Sequence, residues 1–186
     1  MRYWWANQKQ TYDIEVAGGF LWSRQRRIDG SRNPFYENLR LTQTGDLVFA
    51  YTRAAIRAVG VVLRPANAAP SPTPPNCHEP QTDVASDGWL VDMAWLELQR
   101  PLKPSAYMSI LAPLLPNVHA PLTADGRGIQ GGRLLELPER LALALLQLAG
   151  GRDPAHILNP AWSPQQLCFA FAESGGRSAT PQKEKS

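Results

Sequence analysis

Trp22 closes the run Phe20-Leu21-Trp22-Ser23 and is followed at once by Arg24, Arg26 and Arg27. A flat aromatic face beside guanidinium groups suits a protein that holds an unstacked base by its face while gripping the adjoining phosphates. Charge points the same way: residues 1–64 hold ten Arg or Lys against five Asp or Glu, although the formal net charge of the chain is only +3. Such an excess attracts a polyanion over a Debye length of ~8–10 Å. On charge alone, a solvated cationic surface fits equally well. Among six tryptophans, Trp4, Trp5 and Trp95 fall inside strand-like runs and read as core. Trp22 and Trp89 differ, lying at strand edges beside glycine and polar residues, where a half-exposed pair would form two walls of an aromatic slot.

Other reactive groups offer less. Gly126-Arg127-Gly128-Ile129-Gln130-Gly131 matches G-x-G-x-x-G, but no strand feeds it and no acid follows at the dinucleotide spacing. It reads as a loop whose amides and Arg127 can approach a phosphate. His78, His119 and His156 have no nucleophile or carboxylate partner in sequence, and Cys77 and Cys168 lie 91 residues apart. Neither a disulfide framework nor a metal site is expected, and no cofactor. Too few apolar residues open the chain for a signal segment, and no run approaches 18 apolar residues, so no membrane association and a cytoplasmic location are expected.

Residues 2–6 read as a strand, Asn7 to Tyr12 as a loop and Phe20 to Ser23 as a second extended piece. Asn33-Pro34 is a helix start, Asn as N-cap and Pro at the first helical position. Gly45-Asp46 turns the chain into Leu47–Tyr51, and Ile56–Leu63 completes a hairpin. Composition then shifts, with six prolines in 65–87, which reads as a Pro-rich insertion. Gly88–Leu98 is a strand with Trp89, Val91, Met93 and Trp95 on one face. Pro104–Leu111 is a short helix, and Pro138–Leu148 a stronger one carrying Leu141, Leu145 and Leu148 on one side. Residues 151–186 form an irregular C-terminal tail. Hairpins with few crossover helices imply an α+β fold, a small mixed sheet curled into a pseudo-barrel and flanked by helices, over residues 1–150.

Met1-Arg2-Tyr3-Trp4, the Asn/Gln loop, Phe20-Leu21-Trp22-Ser23, Gly30-Ser31-Arg32-Asn33-Pro34-Phe35, Gly45-Asp46-Leu47-Val48-Phe49, Gly60-Val61, Gly88-Trp89-Leu90-Val91 and Gly128-Ile129-Gln130 follow one another as in a known family. Across residues 1–150 the chain resembles the EVE domain of the PUA-like superfamily, most closely the EVE-like N-terminal module fused to bacterial HNH endonucleases. The resemblance implies a curled PUA-like barrel related to the YTH domain, in which two tryptophans sandwich a modified base. It implies Trp22 with Ser23 as one wall, Trp89 as the other, and Asn7, Gln8 and Lys9 as candidates for the base edge; the cationic side chains Lys9, Arg24, Arg26, Arg27 and Arg127 are the expected phosphate contacts.

The expected function is a reader of modified nucleic acid, first of a modified cytosine in DNA, that flips the base and does not act as an enzyme. No HNH nuclease follows residue 150, so cleavage is not implied. The alternatives are an RNA-modification reader, and an interaction subunit that recruits a separately encoded nuclease or toxin.

Overall fold

The computed structural model describes residues 1–26, 30–72, 88–129 and 132–150. Arg27, Gln130, Cys77, His78, His156, Cys168, most of the Pro-rich segment and the tail lie outside the described residues.

Strand β1 (Tyr3–Asn7) runs into a loop and helix α1 (Tyr12–Gly18), then β2 (Phe20–Arg24). Helix α2 (Pro34–Glu37) continues as a 3-10 turn through Leu41 and leads to β3 (Leu47–Thr52), β4 (Ala55–Ala69) and β5 (Gly88–Leu102). Short helical turns around α3 (Met108–Leu111), then β6 (Leu134–Leu137) and α4 (Glu139–Ala149), complete it. The six strands form one mixed sheet in the order β2-β5-β4-β3-β1-β6. Only β1 and β3 pair in parallel; the other neighbours are antiparallel. This is the α+β, PUA-like curled sheet with flanking helices that the sequence implies.

Alternation along the strands divides the core into two faces. Tyr3, Trp5, Leu47, Phe49, Leu135 and Leu137 pack against Leu141 and Leu145 of α4. Trp4, Ala6, Leu21, Val48, Val62, Val91 and Met93 form the other side, with Trp89 and Trp95 against them. Trp4 and Trp5 are completely buried, each worth about 4–6 kcal/mol at ~25 cal/mol per Å² over an indole's 150–250 Å². Trp4 Nε1 donates to Asp46 (3.0 Å), and the same buried carboxylate accepts the backbone N–H groups of Arg2 (2.7 Å) and Gln43 (3.0 Å). The Gly45-Asp46 turn is thereby fixed to β1.

Three features correct the sequence reading. Helix α1 occupies part of a stretch read as loop and connection; Gly19, with φ of 69°, closes it in the left-handed conformation that glycine adopts freely. Strand β6, only four residues long, lies in a region without strand alternation long enough to recognise. The insertion boundary also moves, because β4 continues through Pro65 to Ala69. Between Arg64↔Asp92 and Asn67↔Leu90, three steps on β4 oppose two on β5, a bulge of the kind that accommodates a proline without a ladder hydrogen bond.

Candidate nucleic-acid interface

Trp22 is held by its main chain. It lies on β2, an edge strand, whose outward backbone groups need partners. Glu15 of α1 accepts the Trp22 N–H at 3.0 Å, and Arg133, just before β6, donates to the Trp22 carbonyl at 2.7 Å. Arg133 also donates to the Asn7 carbonyl at 2.9 Å and forms an ion pair with Glu15. One guanidinium thus spans from one edge of the curled sheet to β1 and the start of β6 near the other. Glu15 further accepts from Gln8 Nε2 (2.8 Å) and Thr11 Oγ1 (2.9 Å), which ties the loop after β1 to the same carboxylate.

The indole leans on the backbone of β5. A Cβ at residue 88 would lie 2.2 Å from Trp22 Cε2 and Nε1, so only glycine leaves room for the ring. Trp22 Nε1 donates to the Ala69 carbonyl at 3.2 Å. Trp22 is 8% exposed, more covered than an open slot would leave it.

Register separates the two tryptophans proposed as walls. Trp22 pairs with Leu90 and Ser23 with Trp89; directly opposed residues share a face, and consecutive ones do not. Trp89 therefore projects with Ser23 and Leu21 toward the Trp4 side, where it packs against that cluster, while Trp22 projects from the opposite face. The two rings do not enclose one slot. The Ser23 side chain is likewise turned away from Trp22 and is 4% exposed. Arg24, two residues on, shares the Trp22 face.

The base-edge candidates are already occupied in part. Asn7 donates its amide to the carbonyls of Ile129 (3.2 Å) and Gly132 (2.6 Å) and accepts from Trp5 Nε1 (3.2 Å). That set fixes the loop before β6 and leaves the Asn7 amide little capacity for a ligand. Gln8 is fully buried, and its Oε1 has no hydrogen-bond partner among the described residues. Lys9 is exposed, with its carbonyl accepting from Thr52 Oγ1 at 3.2 Å.

The glycine-rich loop is explained by packing. Gly126 has φ of 78°, and a Cβ there would lie 2.5 Å from Ser105 Cα. Gly128 lies against the Tyr51 ring, and its N–H donates to the Tyr51 hydroxyl at 2.9 Å. Tyr51 in turn stacks at 4.7 Å on Trp5. Arg127 points into solvent and pairs with Asp125 at 3.0 Å. The Asp125 carboxyl is held below the usual range, chiefly by a hydrogen bond from the Thr123 hydroxyl, with Arg127 adding to it.

A cavity of about 180 Å³ lies near Trp89 and is lined by Gln25, Arg26, Arg32, Glu37, Arg40 and Trp89. The Arg40 guanidinium carbon lies 4.9 Å from the Trp89 ring centroid, within cation–π range. Arg26 therefore borders this cavity. Glu15, Arg133, Arg32 and Arg40 escaped the sequence reading. For Glu15 the usable signal was the Gly18-Gly19 stop after a short helix; for Arg133 no local pattern exists, since Glu15 is 118 residues away, and for Arg40 the i,i+3 spacing to Glu37 was a local signal whereas Trp89, 49 residues away, was not.

Among the described residues no helix is long and apolar enough to cross a membrane. No protein-family model matches the chain, and no curated protein sequence does. Solved structures do match. A Pseudomonas syringae protein is 17% identical with a TM-score of 0.51, covering 79% of this chain and 99% of its own. The human THYN1 protein, solved in complex with DNA containing 5-methylcytosine, is 15% identical with a TM-score of 0.51 over 83% of this chain and 100% of its own. A YTH domain solved in complex with m6A is 12% identical with a TM-score of 0.50, over 82% of this chain and 87% of its own. At these identities the likeness is one of fold, and the chain has the PUA-like fold that these proteins share.

Proposed function

We propose that the protein reads a modified base in nucleic acid, first a modified cytosine in DNA, by stacking it on the Trp22 ring. The observation that carries this reading is the double main-chain clamp on Trp22, from Glu15 and Arg133, together with the bare Gly88 backbone behind the ring. A pre-set aromatic face is what a flipped base needs, because unstacking costs a few kcal/mol and stacking on an aromatic side chain returns about 1–3 kcal/mol. Arg24 shares that face, and Lys9 is exposed on the loop after β1; both serve as phosphate contacts. In this reading the base stacks on the side of the ring turned away from Gly88, and what covers the ring gives way on binding. On the same loop the buried Gln8 Oε1 has no hydrogen-bond partner among the described residues.

Support comes also from what the fold neighbours were solved with, 5-methylcytosine-containing DNA for THYN1 and m6A for the YTH domain. The second of these favours an RNA-modification reader as the alternative, to be told apart by sensitivity to the 2′-hydroxyl. The role is recognition, with a separately encoded nuclease as the partner that would act on the bound site. Selectivity cannot come from a methyl group alone, worth about 0.8 kcal/mol or roughly fourfold, so polar groups around the ring must add to it.

The test is titration of labelled DNA and RNA oligomers with and without 5-methylcytosine or m6A. One modified oligomer is expected to bind more tightly than its unmodified twin, and Trp22→Ala to weaken that binding by about 5- to 150-fold, the equivalent of 1–3 kcal/mol. Equal affinities for modified and unmodified strands at every salt concentration would overturn the reading.

A further inference from the structure

We infer that the cavity near Trp89 is a second binding site, specific for a phosphate monoester, on the opposite side of the sheet from Trp22. It does not rest on the reading of Trp22. Among the described residues its lining combines Arg26, Arg32 and Arg40 with one acid, Glu37, a net charge of two positives. A phosphate monoester carries about −1.5 to −2 at pH 7, whereas each phosphodiester carries one negative charge. The charge of the cavity matches the terminal group better than the internal linkage.

Two of its donors, on Arg26 and Arg40, are held before any ligand arrives. Arg26 and Arg32 face each other across an isolated antiparallel bridge, and Arg26 Nη1 donates to the Gly30 carbonyl at 3.1 Å. Asn33 caps α2 by accepting the Phe35 N–H at 3.0 Å, which fixes the helix carrying Glu37. Glu37 and Arg40 form an ion pair at 3.0 Å, and Arg40 rests on the Trp89 face. Three guanidinium groups around one carboxylate repel one another, and an oxyanion among them removes that cost. Arginine is also the side chain whose planar fork matches phosphate oxygens.

Trp89 adds a second observation. Its Nε1 is buried and has no hydrogen-bond partner among the described residues, a state native proteins avoid unless a ligand or function accounts for it. Trp89 also lines the cavity, and its indole N–H is a donor with no protein acceptor among the described residues. The volume, about 180 Å³, falls below the ~300–1,000 Å³ of drug-sized sites and suits a compact anion. The phosphate can arrive on the end of a nucleic-acid strand or on a free mononucleotide.

The experiment uses the full chain and an unmodified oligodeoxynucleotide, labelled at its 3′ end and bearing either a 5′-phosphate or a 5′-hydroxyl. Binding is followed by anisotropy, with inorganic phosphate and deoxycytidine 5′-monophosphate as competitors. The phosphorylated strand is expected to bind about tenfold more tightly, the gain of one charge-assisted contact set. Arg32→Ala should erase that preference, Arg32→Lys should restore part of it, and Glu37→Gln should strengthen binding of inorganic phosphate. Unfolding temperatures of the variants check that the fold is intact. Competition by the mononucleotide at concentrations like those of the strand identifies the free compound as the source; a strand far tighter than the mononucleotide identifies the strand end. Identical binding of both strands, with no effect of either competitor, overturns the inference, as does an undiminished preference in Arg32→Ala. Modified-base discrimination is measured separately on 5′-hydroxyl strands, so failure of either site leaves the other result standing.

Discussion

Gly88 and Glu15 give the sharpest tests at the scale of single residues. Gly88→Ala would place a methyl 2.2 Å from the Trp22 ring, far inside contact distance, so the indole has to move while its identity is kept. Binding of modified strands should fall toward that of Trp22→Ala, and an intact far-ultraviolet spectrum would show that the sheet is retained; unchanged binding would mean that the ring is not the stacking surface. Glu15→Ala leaves the largely covered Arg133 without its acid and the Trp22 N–H without its acceptor. Breaking such a pair by removing one member costs about 3–5 kcal/mol, measurable as a lower denaturant midpoint. A loss below about 1 kcal/mol would show that the network does not brace β2. The sequence named Trp22 but not its supports, because a carboxylate at residue 15 and a guanidinium at residue 133 acquire meaning only when the sheet curls.

At the scale of elements, legibility followed the strength of local signals. The β3–β4 hairpin, the Asn33-Pro34 helix start and α4 were readable because alternation, capping and helical spacing act within a few residues. The β3–β4 turn itself breaks a rule: Arg53 and Ala54 have φ of 50° and 59°, the pattern of a type I′ turn, which prefers Asn-Gly. Ala54→Gly should stabilise the protein by about 1 kcal/mol, the lower end of the cost of a left-handed residue with a Cβ, seen as a higher unfolding temperature; a decrease would mean the turn is not strained at that position. Helix α1 was hidden because it is seven residues long and its docking, not its propensity, sustains it. Tyr12 makes that docking pH-sensitive. Burial, and then Glu97, which accepts the Tyr12 hydroxyl at 3.2 Å, push its pKa from 10.0 to about 12. A raised value means that the native state holds the proton longer than the unfolded chain. The associated stability is intact below pH 10 and is lost as the pH rises from 10 through 12. Tyr12→Phe should flatten the fall in unfolding temperature across that window, and an unaltered slope would exclude the assignment.

For the whole molecule, the division into two faces is what sequence alone could not supply. Trp22, Ser23 and Trp89 are all strand residues beside glycine or charge, and nothing local states whether two strands pair in the register Trp22↔Trp89 or Ser23↔Trp89. The observed register, Ser23↔Trp89, shifts every side chain by one position relative to the other choice, and so splits the expected slot into the Trp22 face, proposed above for stacking, and a separate cationic cavity. The arginines divide with them: Arg24 stays with Trp22, whereas Arg26 borders the cavity near Trp89. This division predicts how salt and sequence effects separate. Each phosphate contact releases counterions and steepens the dependence of log affinity on log salt by roughly 0.7 for single strands and 0.9 for duplex DNA. Arg24→Ala and Lys9→Ala should each weaken modified and unmodified 5′-hydroxyl strands alike and make that slope shallower by about one contact. Trp22→Ala should instead lower affinity at an unchanged slope, since stacking exchanges no ions. Titrations of the three variants from about 50 to 200 mM salt decide the matter: a slope altered by Trp22→Ala but not by Arg24→Ala would mean that the nucleic acid does not cross the Trp22 face.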